Sequence, residues 1–299
     1  MVAAIIESVK QVGLIIYLII NPRAFMGVMI GMKVGIMLMS DRGPDDKPWD
    51  WRKHLQECKR HGVEMVDLFE FMLGSIKLKP TDANGMLKEI GLGTSVFGVP
   101  TDLVSPDIKV REKSISTIKY GVEVCRKLEI GHLFSHGGQH NNKGEEALAR
   151  YIDGLSQAAD IANSAGLTLS IENAGTLCHT DEELLRCIKA VNRPNMKVTF
   201  DGGNFILAGS DPHKAAELLA SKVVHVHAKS FEPASASERI SAERPFKYCP
   251  IGKGLVDYRR ICGILASVGF DGCVSFEPEG GENSKWYQSL DTLTRIVKG

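Results

Sequence analysis

The chain has 299 residues, 36 basic against 36 acidic side chains, and 43% hydrophobic residues. That length can bury a large core, as two ordinary domains or as one α/β barrel of about 250 residues, while the balanced charge offers no basic face to nucleic acid. Seven scattered cysteines with no C-x-x-C pair suggest neither a disulfide framework nor a thiolate zinc site, and a reducing, cytoplasmic setting is expected.

The first stretch departs from the globular pattern. "VGLIIYLII" (12–20) is apolar but only about half the length that spans a bilayer, and "NPR" interrupts it at once. Glu7 and Lys10 stand where a signal peptide would carry a basic cluster, and no A-x-A-like cleavage site follows. Residues 1–32 therefore read as an N-terminal extension that need not be native, since "MKVGIMLMS" from Met32 looks like a natural start. No membrane association is expected.

From residue 34 a pattern repeats: a short β-rich run, a polar or Gly-rich loop, then a helical segment ending in Gly. The expected strands are "VGIMLMS" (34–40), "VEMVDLFEF" (63–71), "GTSVFGV" (93–99), "GHLFSH" (131–136), "LTLSIE" (167–172), "KVTFD" (197–201), "VVHVH" (223–227) and "CVSFE" (273–277). Between them, "TDEELLRCIKA" opens on Thr180 with Glu183 three residues on, a capping box. "WRKHLQECKRHG" and "ARYIDGLSQAADIANSAG" both close on a glycine that can turn left-handed. "GPDDKPWD" and "TDANG" read as solvated loops, as does the long segment 231–250. Eight β/α units without a composition break predict one domain over 33–299, a (β/α)8 TIM barrel of the α/β class. A doubly wound open sheet is the alternative, because strand count does not prove closure.

The last four strands share a register. Thr168, Ser170 and Glu172 alternate with Leu169 and Ile171; Thr199 and Asp201 with Val198 and Phe200; His225 and His227 with Val224 and Val226; Ser275 and Glu277 with Val274 and Phe276. In a parallel barrel the apolar set packs outward on the helices, and the other set opens at the C-terminal mouth. Glu172, Asp201, His227 and Glu277 would then converge, and three carboxylates gathered without a cation cost several kcal/mol (order of magnitude). One divalent ion resolves that cost, and the O, O, N, O donor set suits Mn²⁺, Mg²⁺, Co²⁺ or Zn²⁺. His225 lies one pleat deeper on the same face, as a supporting residue or a core polar group, and Lys229 shares its parity.

These residues also carry a resemblance. "SIENAG", "FDGGN", "HVHAK", "PIGKGLVDY" and "SFEPEGG", in that order and spacing, resemble the xylose isomerase-like TIM barrel superfamily of sugar phosphate isomerases and epimerases, over roughly residues 33–298. The resemblance implies a metal, Mn²⁺ foremost, held by Glu172, Asp201, His227 and Glu277. Ketose 3-epimerases, inosose dehydratases, dehydroshikimate dehydratases and endonuclease IV look alike at this level. Asn204 stands where 3-epimerases and endonuclease IV tend to have histidine, and Ser230 follows "HVHAK" where many relatives continue with aspartate. "VFGVPTD" supplies none of the extra histidines of a trinuclear zinc site, so DNA cleavage is disfavoured.

The expected activity is a metal-dependent ketose isomerase or epimerase in which Glu172 and Glu277 exchange a proton through an enediolate. A dehydratase or related lyase on a keto-sugar, inosose or dehydroshikimate-like substrate would use the same metal residues. An endonuclease IV-like phosphodiesterase or a non-catalytic carbohydrate-binding barrel ranks behind both. The expected partner is a small sugar or polyol, contacted by Asn204, Lys229, His136 and His225, and the sequence leaves homo-oligomer formation open. Trp49 and Trp51 are read as a sugar wall or as helix-start packing, and Glu70 as a strand residue of ambiguous parity.

Overall fold

The computed structural model describes residues 31–38, 50–136, 143–278 and 283–299. Eight parallel strands close a barrel: β1 (Lys33–Met37), β2 (Met65–Phe69), β3 (Gly93–Pro100), β4 (His132–His136), β5 (Thr168–Glu172), β6 (Met196–Asp201), β7 (Val223–Ala228) and β10 (Cys273–Phe276). Each pairs with its neighbour in sequence, and β10 closes the ring between β7 and β1. All eight expected strands are present, and the open-sheet alternative is excluded. The helices are α1 (Trp51–Arg60), α2 (Glu70–Ser75), α3 (Pro80–Ile90), α4 (Ile108–Leu128), α5 (Glu145–Ser164), α6 (Asp181–Val191), α7 (Gly202–Leu207), α8 (Pro212–Leu219), α9 (Tyr258–Ser267) and α10 (Asn283–Lys298).

The outward residues form the main core. Val34, Ile36, Val66, Phe97, Leu133, Leu169, Ile171, Val198, Phe200, Val226, Val274 and Phe276 are all fully buried against helical residues such as Leu55, Leu87, Ile118, Leu155, Leu184, Ile261 and Leu290. Each such side chain stabilises the fold by about 1.5–3 kcal/mol on burial. Local signals agree with this packing. Thr180 accepts from the Glu183 amide at 3.3 Å while Glu183 accepts from the Thr180 amide at 3.1 Å, and Gly62 and Gly166 take φ values of 91° and 71° behind α1 and α5.

Three sequence readings need correction. "TDANG" lies inside α3, because Pro80 at the first helical position pre-sets the backbone and Ala83, Leu87 and Ile90 give a buried stripe. The segment 231–250 is not all loop: β8 (Ser230–Pro233) and β9 (Phe246–Cys249) form an antiparallel hairpin directly after β7. Glu70 opens α2 and is not a strand residue. Residues 1–30, Trp49 and most of "GPDDKPWD" lie outside the described residues, whereas Trp51 packs on the core at the start of α1. Among the described residues no helix is long and apolar enough to cross a membrane, and all seven cysteines are buried and free.

Helices α1 and α10 meet at His54, whose Nε2 lies 3.4 Å from Cys58 Sγ and whose Nδ1 lies 3.4 Å from the Tyr287 hydroxyl. Burial pushes the His54 imidazole down to about 4 and the Cys58 thiol up to about 12, so the pair stays neutral. Below the ordinary imidazole value of 6.5 the unfolded chain takes up a proton here that the folded chain refuses until about 4. Stability is therefore full above that window and falls within it by about 1.4 kcal/mol per pH unit. Urea midpoints between pH 7 and 4 should show this slope, and His54→Leu should flatten it.

Candidate metal centre

The inward side chains form layers. Deepest are Met65, His132, Thr168 and Cys273, which line a cavity of about 290 Å³ open at the N-terminal end of the barrel. Above them come Asp67, Ser170, Thr199, His225 and Ser275, all buried. Gly35 completes that layer on β1, where a Cβ would collide with the Ser275 hydroxyl. This middle layer is polar and hydrogen-bonded, both within itself and to the layer below: Ser170 Oγ lies 2.8 Å from Thr199 Oγ1 and 2.7 Å from His132 Nε2.

The top layer divides in two. On one side Met37, Phe69, Val96 and Phe134 make an apolar cluster, with the Phe134 ring 5.7 Å from the His227 ring. On the other side Glu172, Asp201, His227 and Glu277 bring their ligand atoms within 4.8 Å of one another, all in the interior. Register enforces this, since Asp201 stands beside His227 and His227 beside Ser275 across adjacent strands.

The four side chains are held from behind. Asp201 is the N-cap of α7: Oδ1 accepts from the Asn204 amide at 2.9 Å, leaving Oδ2 to face the cluster. Asn173 locks the same residue, donating to the Asp201 carbonyl at 2.9 Å and accepting from its amide at 2.8 Å. Glu277 continues the ladder beyond β10, its amide donating to the Ala228 carbonyl at 3.0 Å. Lys229 places Nζ 2.9 Å from Glu277 Oε1 and 3.0 Å from Asp201 Oδ2. Its backbone is clasped by Tyr258, whose hydroxyl accepts from the Lys229 amide at 2.9 Å and donates to its carbonyl at 2.7 Å.

His227 Nδ1 lies 2.5 Å from Glu172 Oε1 and 3.8 Å from Glu277 Oε2, so Nδ1 faces the acids. Burial disfavours charge on this imidazole, but the carboxylates of Glu172, Asp67 and Glu277 together outweigh it and hold its pKa well above the ordinary value. Burial raises the Asp201 carboxyl well above its range, with Glu277 and Glu172 adding to the shift and Lys229 opposing it. Both shifts favour proton uptake in the pocket, and a dication would compete with protons for His227 and Asp201. The donors fit one: Asp201 Oδ2 is turned into the cluster, where the Lys229 ammonium meets it at 3.0 Å, and Glu277 Oε2 is a buried acceptor without a hydrogen-bond donor among the described residues. Three carboxylates less one ammonium leave a charge of two to cancel.

Other expected contacts fall differently. Lys229 sits inside the acidic cluster, and Asn204 is half-buried in the first turn of α7. His225 does not reach the mouth; it lies one pleat below His227, 1% exposed, with Nε2 3.0 Å from Asp67 Oδ2. The His136 side chain lies outside the described residues. Sequence reasoning missed Asp67, Asn173 and Tyr258, although Asp67 is a lone acid between Val66 and Leu68 on an apolar strand. Tyr258→Phe would remove both hydrogen bonds that its hydroxyl makes to the buried Lys229 backbone. Urea unfolding should show a loss of about 1–3 kcal/mol.

Several known proteins resemble this chain. The matched stretch with an uncharacterized protein, MJ1311, of Methanocaldococcus jannaschii is 25% identical over 56% of this chain and 58% of that protein. A probable endonuclease 4 of Thermotoga maritima is 32% identical over 35% and 38% of the two chains. The L-ribulose-5-phosphate 3-epimerase UlaE of Salmonella paratyphi A is 24% identical over 57% of each. The chain thus spans at most 58% of the length of these relatives. Among solved structures, the probable 3-DHS dehydratase AsbF of Bacillus anthracis superposes with a TM-score of 0.70 at 17% identity, over 90% of this chain and 99% of that one. A D-psicose 3-epimerase in the presence of D-fructose gives 0.65 at 17%, over 90% and 100%. These structures share the fold. The family model for the xylose isomerase-like TIM barrel matches residues 55–296, and the chain belongs to that family.

Proposed function

We propose that the chain is a divalent-metal-dependent isomerase or epimerase that moves a proton on a small ketose. The observation that carries this reading is the pair Glu172 and Glu277, two carboxylates reaching the same histidine nitrogen from β5 and from the end of β10, at 2.5 and 3.8 Å. Simple binding does not require two carboxylates on one pocket; proton transfer on two faces of a carbon does. The donor set suits Mn²⁺ first, with Mg²⁺, Co²⁺ or Zn²⁺ able to replace it. When bound, the ion supplies Lewis-acid polarisation of a carbonyl and its neighbouring hydroxyl.

The residues then divide the work. One of the two glutamates takes the proton beside the carbonyl and the other returns it, to the opposite face for epimerisation or to the next carbon for isomerisation. Their environments differ in a way that suits unequal roles, because the Lys229 ammonium holds Glu277 Oε1 at 2.9 Å while Glu172 Oε1 abuts His227. Phe69, Phe134 and Met37 exclude water from the opposite half of the mouth, which strengthens electrostatics inside it. Asn204, and His136 at the end of β4, remain the proposed contacts for sugar hydroxyls, and Lys229 is proposed to orient Glu277. His225 has no proposed substrate role. Similarity to the 3-epimerases named above supports the substrate class.

The test is a panel of ketoses and inososes with Mn²⁺ in deuterated water. An isomerase or epimerase incorporates deuterium next to the carbonyl and keeps every oxygen; a conjugated enone or diketone product would assign a dehydratase instead. Glu172→Gln and Glu277→Gln should each lower kcat by about 10²–10⁴-fold with the fold intact. Full activity in either variant would end the two-carboxylate mechanism.

A further inference from the structure

Beneath the metal ligands lies a carboxylate to which that chemistry gives no task. We infer that Asp67 is a positioning residue for His227, and that His225 serves Asp67 and not the substrate; this rests on the metal reading above. Asp67 projects from the middle of β2, across the barrel from β7, and is wholly buried. Its Oδ1 accepts from Ser275 Oγ at 2.9 Å and from Ser95 Oγ. Its Oδ2 lies 3.0 Å from His225 Nε2 and 3.4 Å from His227 Nε2.

The chemistry of imidazole makes this arrangement directional. Nδ1 of His227 faces the acids, so once Nδ1 gives its lone pair to a cation, Nε2 must carry the proton. That N–H is buried and lacks a straight hydrogen bond among the described residues, and the carboxylate facing it is Asp67. A carboxylate behind a ligating histidine fixes the ring orientation and tautomer and raises the basicity of the ligating nitrogen. An anion in the barrel centre also needs donors of its own, which the two serines and His225 supply. Gly35 leaves the room for Ser275 to do so. The same atoms could instead hold a second ion, because ligand atoms of Asp67, His225 and His227 also lie within 4.8 Å of one another.

Calorimetric titration of the chelator-stripped, full-length chain with Mn²⁺, and its visible spectrum with Co²⁺, decide between these. The wild type should bind one ion. Asp67→Asn should bind it about 10- to 100-fold more weakly with an altered Co²⁺ spectrum, while circular dichroism shows a folded barrel. If Asp67→Asn does not fold, Ser275→Ala, which removes a single donor to Asp67, carries the test with an expected loss of about three- to tenfold. A folded Asp67→Asn, or in its place Ser275→Ala, with wild-type affinity and spectrum would overturn the inference and leave the metal reading standing. Two ions in the wild type and one in Asp67→Asn would make Asp67 a ligand and also overturn it. A wild type that binds no ion would overturn the metal reading and this inference together.

Discussion

Three carboxylates and an imidazole buried within 4.8 Å of one another cannot keep their ordinary charges without a counter-ion. That electrostatic constraint organises the top of the barrel. Lys229 supplies one positive charge, and burial with the neighbouring carboxylates pushes the Asp201 and His227 pKa values up, toward their protonated forms; a dication at the site would relieve the same constraint. Every device behind the four residues serves to hold them at that mutual distance: the cap that Asp201 gives α7, the double hydrogen bond from Asn173, and the clasp of Tyr258 on the Lys229 backbone. The apolar half of the same layer, around Phe69 and Phe134, keeps the field of the charged half from being screened.

The interior below is also unusual. A barrel of this kind is filled by layers of bulky branched side chains, yet here the middle layer is Asp67, Ser170, Thr199, His225 and Ser275. The apolar packing therefore lies mainly in the outer shell between strands and helices, and the middle layer is a buried hydrogen-bonded network beneath the acidic cluster. This is the division expected where function competes with packing. His132, one layer deeper, shows the cost of burying such groups: burial and the neighbouring His225 push its imidazole down to about 3, so it is kept neutral.

How much of this was legible in the sequence follows from period and parity. A parallel barrel strand alternates between helix-facing and mouth-facing residues, so "LTLSIE", "KVTFD", "VVHVH" and "CVSFE" displayed both the fold and the four acid or imidazole ends. Asp67 obeys the same parity on β2 but stands one layer lower, and without a known depth a lone acid among apolar residues points to no partner. Asn173 and Tyr258 act through backbone atoms of residues 28 and 29 positions away, a relation that exists only after folding. The β8–β9 hairpin escaped because its strands are four residues long and Pro233 interrupts the alternation. "TDANG" was misread because Gly and Asn suggest a turn locally, while the buried spacing of Ala83, Leu87 and Ile90 decides for helix.

The central claim is that strands β5, β6 and β7 and the end of β10 deliver their terminal side chains to one dication. Anomalous diffraction from a crystal loaded with Mn²⁺ tests it most directly. A single peak bounded by Glu172, Asp201, His227 and Glu277, with His227 Nδ1 turned toward it, is the expected result. A peak elsewhere in the barrel, or no peak beside those four residues at saturating Mn²⁺, would contradict it.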